Sequence, residues 1–232
     1  MILMRDHYKN QLTACGQEIY DRIESNIHCL AKNAYVELNG GYSAQNLKDA
    51  VKAYLALRED RPEFYFMDNK VEAVVSSKGI LNIRQSKRFS FDQIKRINAI
   101  LRREVAGILE MSLASDDLTK EKNIYKNIAS RYHYKDGDLS HDLSGLLIFK
   151  EGVCESLAGM LVITLREAGI PACKINGIAR NSRHSWTKAW INGVAYHLDV
   201  TWDLTNKSPF ARYRYFNVTE SMIRKDHIIE TG

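Results

Sequence analysis

The sequence predicts an α+β fold in which a helix begins at Cys154 and antiparallel strands follow it, with a mainly helical region before it. Apolar residues recur at helical spacing through most of the first half of the chain and again after Cys154. Residues 183–203 instead alternate between apolar and polar side chains on either side of Asn192-Gly193, a dipeptide typical of a two-residue β-hairpin loop.

The composition is that of a soluble globular protein. Of the 232 residues, 45% are hydrophobic and 26% are charged, and the net charge is +5. Basic residues are scattered among acidic ones, so the sequence predicts no nucleic-acid surface. No apolar run is long enough to cross a bilayer. The opening "MILMRDHYKN" lacks a secretory pattern, so we expect a cytoplasmic protein; a secreted or surface location follows if the natural start lies further upstream.

The first half of the chain reads as helical with one β interruption. The apolar spacing predicts a helix from about residue 6 to residue 30. Ser43 and Ser90 are placed to cap two further helices. Between these, residues 71–85 alternate around Lys78-Gly79, which predicts a second hairpin.

A polar stretch, "SLASDDLTKEKN", separates this half from the rest of the chain. We therefore expect two regions. Residues 1–113 form a mainly helical N-terminal region with a β-hairpin. Residues 114–232 carry the residues with candidate chemistry, and no feature of the sequence indicates an oligomeric state.

Cys154 stands just after a glycine and at the start of a helical pattern that Gly169 and Pro171 end. A helix N-terminus favours an anion, so this position favours a thiolate. A small core residue is the alternative, because cysteine is among the most buried residue types. The cysteines show no CxxC pairing, so the sequence predicts neither a structural zinc site nor a disulfide framework. All four are Cys15, Cys29, Cys154 and Cys173.

The predicted hairpin supplies a partner for the thiol. If Asn192-Gly193 form the loop, counting outward sets Trp186 opposite Asp199 and His184 opposite Thr201. His184 and Asp199 are then diagonal neighbours, roughly 7–8 Å apart along the backbone, which side chains can bridge. Asp203 lies on the same face at an equal distance, so the register alone does not choose between the two acids.

These motifs together resemble the core of the bacterial transglutaminase-like superfamily. The resemblance rests on "GVC" at the start of a helix, "HSW" in a strand and "DVTWD" in the strand that follows, and it covers about residues 115–228. It implies a papain/transglutaminase-like core, with Cys154 as the nucleophile, His184 as the base and Asp199 as the acid that orients the ring. It also implies that the Cys154 amide is one oxyanion donor. Trp186 is expected beside this site, where it would contact substrate and exclude water.

The resemblance implies acyl transfer through a cysteine thioester on peptide or glutamine-type amides, with a protein or peptide as substrate. Both transamidation and hydrolysis, as in a cysteine peptidase or amidase, stay open. So does a non-catalytic binding module with the same fold. No cofactor or metal is implied. The chain departs from the family pattern at Ser156-Leu157-Ala158, where Gly-Tyr-Ala is usual, and at Ser144, where an aromatic residue is common.

Overall fold

A computed structural model describes residues 5–205 and 213–230 of the chain. Its contacts divide the described residues into two compact units, Asp6–Arg96 and a larger one that begins at Ile97. This division lies at residue 96, earlier than the boundary at residue 113 that the polar stretch indicated. Residue 96 lies in a long helix, α4 (Phe91–Glu110).

The smaller unit combines three helices with a three-stranded antiparallel sheet. The sheet has the strand order β1-β3-β2, and the predicted second hairpin is confirmed as β2 and β3. Gly79 closes the turn between them with φ at +72°, a left-handed conformation that glycine adopts without strain. The elements of this unit are α1 (Ala14–Ser25), α2 (Ile27–Asn33), β1 (Tyr35–Asn39), α3 (Leu47–Asp60), β2 (Val71–Val75) and β3 (Ile80–Gln85).

The single helix predicted from residue 6 to residue 30 is wrong, because two polar residues divide it. The Thr13 side chain accepts a hydrogen bond from the Gly16 amide and so starts α1 afresh. Asn26 leaves helical geometry and separates α1 from α2. The cap at Ser90 is confirmed, in a reciprocal capping box with Gln93. Ser43 instead caps a short 3-10 helix, Ala44–Asn46, and Asn46 is the residue that precedes α3.

The larger unit packs helices against a four-stranded antiparallel sheet of order β8-β7-β6-β9. This arrangement confirms the predicted α+β class. A short parallel pair, β4 with β5, leads into the helix that begins at Cys154. After α4, the elements are α5 (Asp117–Arg131), β4 (His133–Tyr134), α6 (Leu143–Phe149), β5 (Glu151–Gly152), α7 (Cys154–Glu167), β6 (Ala172–Ala179), β7 (Ser182–Ile191), β8 (Val194–Leu198), α8 (Val200–Thr205), α9 (Glu220–Ile223) and β9 (His227–Ile229).

Helix α7 is the centre of this unit, because it is buried from Ser156 to Arg166. It lies against β7, where the Thr187 hydroxyl donates to the Ala158 carbonyl oxygen at 3.4 Å. Gly169, with φ at +83°, ends the helix as predicted. In the described parts of the chain, no helix has the length and apolar character that crossing a bilayer requires.

The predicted hairpin loop at Asn192-Gly193 is confirmed, and both residues have positive φ. Ile191 pairs with Val194, and the same register holds as far as Thr187 opposite Leu198. The expectation that the second strand continues through Asp203 is wrong. Strand β8 ends at Leu198, and α8 begins at Val200.

Gly177 allows β9 to approach the middle of the sheet. On β6 it lies between His184 of β7 and Ile229 of β9. A Cβ atom at this position would overlap the Ile228 carbonyl oxygen and would lie 2.8 Å from Cη2 of Trp186. The absent side chain therefore lets the last strand pair closely beside the strand that carries His184.

We expect Gly177→Ala to lower the free energy of unfolding by about 1–3 kcal/mol, because the overlap involves backbone that cannot turn aside. The measurement is chemical denaturation of both forms. Gly107→Ala in α4 is the matched control, since a Cβ there meets no atom within 4 Å. Alanine is the better helix former, so this control should stabilise by about 0.5–1 kcal/mol. Equal stability of Gly177→Ala and the unchanged protein would contradict the overlap.

Candidate active site

Cys154 is the first residue of α7, as the sequence predicted. Val153 precedes it in an extended conformation and offers no side-chain cap. The amides of a first helical turn have no partners within the helix, so they and the macrodipole favour a negative charge at this end. Cys154 is only partly buried.

Ser156 ties the approach segment to the helix that carries Cys154. Its hydroxyl donates to the Ser140 carbonyl oxygen at 2.7 Å, and the Val153 amide donates to the same oxygen at 3.1 Å. The departure from the family pattern at residue 156 thus has a structural consequence. The hydroxyl anchors the backbone on either side of Cys154.

His184 lies between Cys154 and Asp199. Its Nε2 is 2.8 Å from Oδ2 of Asp199, and a second hydrogen bond joins the ring to the Cys154 thiol. Because Nε2 is engaged with the carboxylate, Nδ1 is the ring nitrogen that remains for the sulfur. The geometry brings together the three residues that sequence analysis proposed, in the order thiol, imidazole and carboxylate.

The charges of this group are set by its hydrogen bonds. Burial alone would lower the pKa of His184, but its bonds with Asp199 and Cys154 raise that pKa to about 9. Burial would raise the pKa of Asp199, yet hydrogen bonds from His184 and His227 hold it below its usual value. A raised imidazole pKa stabilises the folded state fully below pH 6.5, and this stabilisation is lost as the pH rises through about 9.

Asp199 occupies the start of a helix rather than the middle of a strand. Its Oδ1 accepts hydrogen bonds from the amides of Thr201 and Trp202 at 3.0 and 3.1 Å, which caps α8. This cap is the physical reason why the strand ends at Leu198. Asp203 is thereby turned away from His184, and its Oδ2 accepts from the Tyr125 hydroxyl at 2.6 Å.

Trp186 stacks beside the His184 ring, with centroids 6.1 Å apart and planes 21° apart. Its indole N–H donates to Nδ1 of His197 at 2.9 Å. Burial, together with the Lys188 charge, lowers the pKa of His197 to about 4, so its ring is neutral and accepts this bond. Trp186 is only 1% exposed, which favours the expected exclusion of water over direct contact with substrate.

Sequence analysis missed two residues near this group. His227, which none of the sequence motifs included, is buried and places Nε2 3.1 Å from Oδ2 of Asp199. Tyr134 pairs with Gly152 in the short parallel sheet, and Gly152 lies two residues before Cys154. Burial and the nearby Cys154 raise the pKa of the Tyr134 phenol. For His227, the only local feature of the sequence that pointed to a site was its position directly after the acidic residue Asp226.

His184, Asp199 and His227 each offer one atom that could bind a metal ion, and these atoms lie within 4.8 Å of one another. Within residues 5–205 and 213–230 this is the only such cluster. All three atoms are already joined by the two hydrogen bonds to Oδ2 of Asp199. The short contacts and the raised pKa of His184 favour protons at these positions, and we assign no metal to them.

The helix that begins at Cys154 and the antiparallel sheet beside it define a core of the papain/transglutaminase-like fold class. Residues 108–202 match the family described as the transglutaminase-like superfamily. This part of the chain, less than half of its length, is similar to that superfamily. The match begins in α4 and ends just after Asp199, so it includes Cys154 and His184 as well.

Three solved structures are similar to the chain at low identity. A TGase is 10% identical with a TM-score of 0.44, over 78% of this chain and 55% of that one. A candidate cysteine protease from Cytophaga hutchinsonii is 14% identical with a TM-score of 0.38, over 57% of this chain and 61% of that one. A candidate protease from Parabacteroides distasonis is 15% identical with a TM-score of 0.36, over 61% of this chain and 36% of that one. The similarity thus spans between about a third and two thirds of their lengths. No curated protein matches the chain.

We expect Asp199→Asn to lower turnover by at least ~10²-fold, because the substitution removes the charge that holds the imidazole. Asp203→Asn is the matched control. Burial raises the pKa of the Asp203 carboxyl to about 6, so near that pH the group is only partly ionised. The amide oxygen of an asparagine at this position can still accept the hydrogen bond from Tyr125. The measurement is kcat/KM for both variants. A larger loss in Asp203→Asn would contradict the assignment.

Alkylation rates test the thiol directly. We expect iodoacetamide to label Cys154 about tenfold faster than the other cysteines at about pH 6.5, where ordinary thiols are protonated. Cys29 is the matched control, because it is also partly buried and its sulfur lies 3.3 Å from Nε2 of His28. Peptide mass spectrometry gives both rates in one sample.

His184 lies beside Cys154 and His28 lies beside Cys29, so replacing each in turn tests whether the reactivity of Cys154 depends on its own histidine. His184→Ala should remove the advantage of Cys154, whereas His28→Ala should leave it unchanged. Equal labelling of Cys154 and Cys29 in the unchanged protein would contradict a reactive thiol.

Proposed function

We propose that this protein is an enzyme that transfers acyl groups from peptide or glutamine-type amides through a thioester on Cys154. The observation that carries the proposal is the hydrogen-bonded series formed by Cys154, His184 and Asp199. A thiol at a helix start, beside an imidazole that a carboxylate orients, is the arrangement by which proteins activate a sulfur nucleophile.

In the first half of the reaction, Nδ1 of His184 already holds the proton of the Cys154 thiol, and the sulfur attacks the amide carbonyl carbon as a thiolate. A carbon–sulfur bond forms and the carbonyl π electrons move onto the oxygen. When this intermediate collapses, the carbon–nitrogen bond breaks and the His184 proton passes to the departing nitrogen. The amine leaves, and the acyl group stays on Cys154 as a thioester.

In the second half, water or an amine attacks the thioester carbon and gives a proton to His184. The carbon–sulfur bond then breaks, and Cys154 is released as a thiolate beside the protonated His184. Asp199 keeps the ring in one orientation through both halves and stabilises its charged form. Its low pKa supports this role, because a carboxylate that stays ionised balances the imidazolium whenever His184 is protonated.

The developing oxyanion needs hydrogen-bond donors. The Cys154 amide is the first donor that the position at the start of α7 supports, since the first-turn amides lack partners within the helix. The choice between water and an amine as acceptor depends on access to the thioester, so hydrolysis and transamidation are two forms of one proposal.

The test is a screen of amide substrates with and without an added primary amine, followed by mass spectrometry of both products. We expect the unchanged protein to release the amine of at least one peptide or glutamine-type amide, and Cys154→Ser to release none. The rate should fall as the pH rises above about 9, because His184 then loses the proton that the leaving amine needs.

The amine arm decides the acceptor. Incorporation of the added amine indicates transamidation, and a free acid indicates hydrolysis. If no amide is cleaved while Cys154 still reacts selectively with iodoacetamide, acyl transfer is contradicted and a binding module is favoured.

A further inference from the structure

Two histidines share one carboxylate oxygen beneath the candidate site. Oδ2 of Asp199 is 2.8 Å from Nε2 of His184 and 3.1 Å from Nε2 of His227. The other nitrogen of His227, Nδ1, is 2.7 Å from Oδ1 of Asp226. The second oxygen of Asp226 accepts a hydrogen bond from the Tyr215 hydroxyl at 2.7 Å. The series of contacts thus continues beyond Asp199 for three further residues.

The donor and acceptor roles follow from the acid. Asp199 is 1% exposed and its carboxylate receives four hydrogen bonds, two on each oxygen. An ionised carboxylate only accepts, so the facing nitrogen of His227 must carry a proton. The two backbone donors fix Oδ1 at the start of α8. His227 is the donor besides His184 that holds Oδ2.

The fold brings His227 to this position through the sheet. Strand β9 pairs antiparallel with β6, and His227 pairs with Ala179 at the end of that strand. The missing side chain at Gly177 allows this close pairing. His227 itself is 1% exposed, so its ring is held by packing as well as by hydrogen bonds.

We propose that His227 is a positioning residue: by donating to Oδ2 of Asp199, it keeps that oxygen aimed at His184. This inference rests on the proposed function, in which an oriented His184 activates Cys154. The role needs no contact between His227 and the substrate. It predicts that the ring acts through Asp199 alone.

The charged and titratable groups that face His227 are few in the described residues. Asp199, Asp226, His184 and Tyr215 contribute the titratable groups. The rest of its surroundings is aromatic, with the Trp202 and Trp186 ring centroids 4.4 and 4.9 Å away. Water therefore has little room to replace a lost donor, and a buried carboxylate that loses one is left underpaired.

The consequence for His184 has a definite sign. Its hydrogen bond with Asp199 is the largest contribution that raises its pKa. If Asp199 is no longer held, that bond is made for a smaller part of the time, and the pKa of His184 falls. A residue that only filled space would alter stability without moving this pKa.

The experiment measures iodoacetamide labelling of Cys154 across the pH range, together with kcat/KM. His227→Phe keeps the ring volume and removes the donor. We expect it to lower both rates by about tenfold or more, because the underpaired Asp199 no longer holds His184, and to move the alkaline fall of kcat/KM to lower pH. His227→Gln places an amide N–H near the position of Nε2 and should restore both rates to within about threefold, since one donor to Asp199 is retained.

Ile223→Ala is the structural control. Ile223 is fully buried in the same cluster as Trp186 and Tyr215, and it contributes no polar group. We expect it to lower the melting temperature while the alkaline fall stays in place. All rates are compared below the lowest melting temperature of the set.

Asp226→Asn keeps the inference testable if His227→Phe does not fold. It weakens the hold on Nδ1 of His227 at a residue whose side chain is 30% exposed. A smaller shift of the alkaline fall in the same direction is expected. An unchanged or upward shift in both His227→Phe and Asp226→Asn, or a shift in Ile223→Ala that matches theirs, would overturn the positioning role.

The labelling arm needs no substrate, so it separates this inference from the proposed function. Failure of every amide to react would contradict acyl transfer, but the dependence of Cys154 labelling on His227 would still be measured. Normal turnover by His227→Phe with the usual alkaline fall would overturn the positioning role and leave acyl transfer intact.

Discussion

The larger unit depends on one buried carboxylate. Asp199 is 1% exposed, and removing a charge from water to such a place is costly unless hydrogen bonds replace the lost hydration. Four donors do so, and they come from three parts of the fold: His184 on β7, His227 on β9, and the first amides of α8. Because the Asp199 carboxylate needs these four hydrogen bonds, β8 ends and α8 begins beside it, and β9 lies where His227 can reach it. The same need gives His184 its orientation.

The parts of the site that could be predicted are those set by local rules. Asn192-Gly193 determines the hairpin register, because few other dipeptides accept positive φ at both positions. That register brings His184 near Asp199 whichever structure follows Leu198. The start of α7 at Cys154 was likewise readable, since Gly152, the apolar spacing and Gly169 mark both ends of the helix. The long-range fold of the larger unit came from the family resemblance and not from these patterns.

What could not be predicted depends on competition between local and distant partners. The alternating pattern of "DVTWD" fits a strand, but the Asp199 side chain binds the next two helical amides and ends the strand. His227 lies 28 residues beyond Asp199, with no pattern to connect them, so only the pairing of β9 with β6 reveals the contact. Asp203 is separated from Asp199 for the same reason: the turn of α8 directs it to Tyr125, which lies 78 residues earlier.

The two histidines on the hairpin, His184 and His197, differ in charge although they lie on neighbouring strands of one sheet. His184 has acceptor partners, so its pKa is about 9, whereas His197 is buried near Lys188, so its pKa is about 4. Trp186 lies between them. It needs a neutral His197 to accept its N–H, and it stacks on the ring of His184. Between about pH 4 and pH 9, His197 is neutral and the ring of His184 is protonated. Within this range the indole of Trp186 therefore keeps its hydrogen bond to His197. It covers one face of the His184 ring and excludes water there, which protects the hydrogen bond between His184 and Asp199.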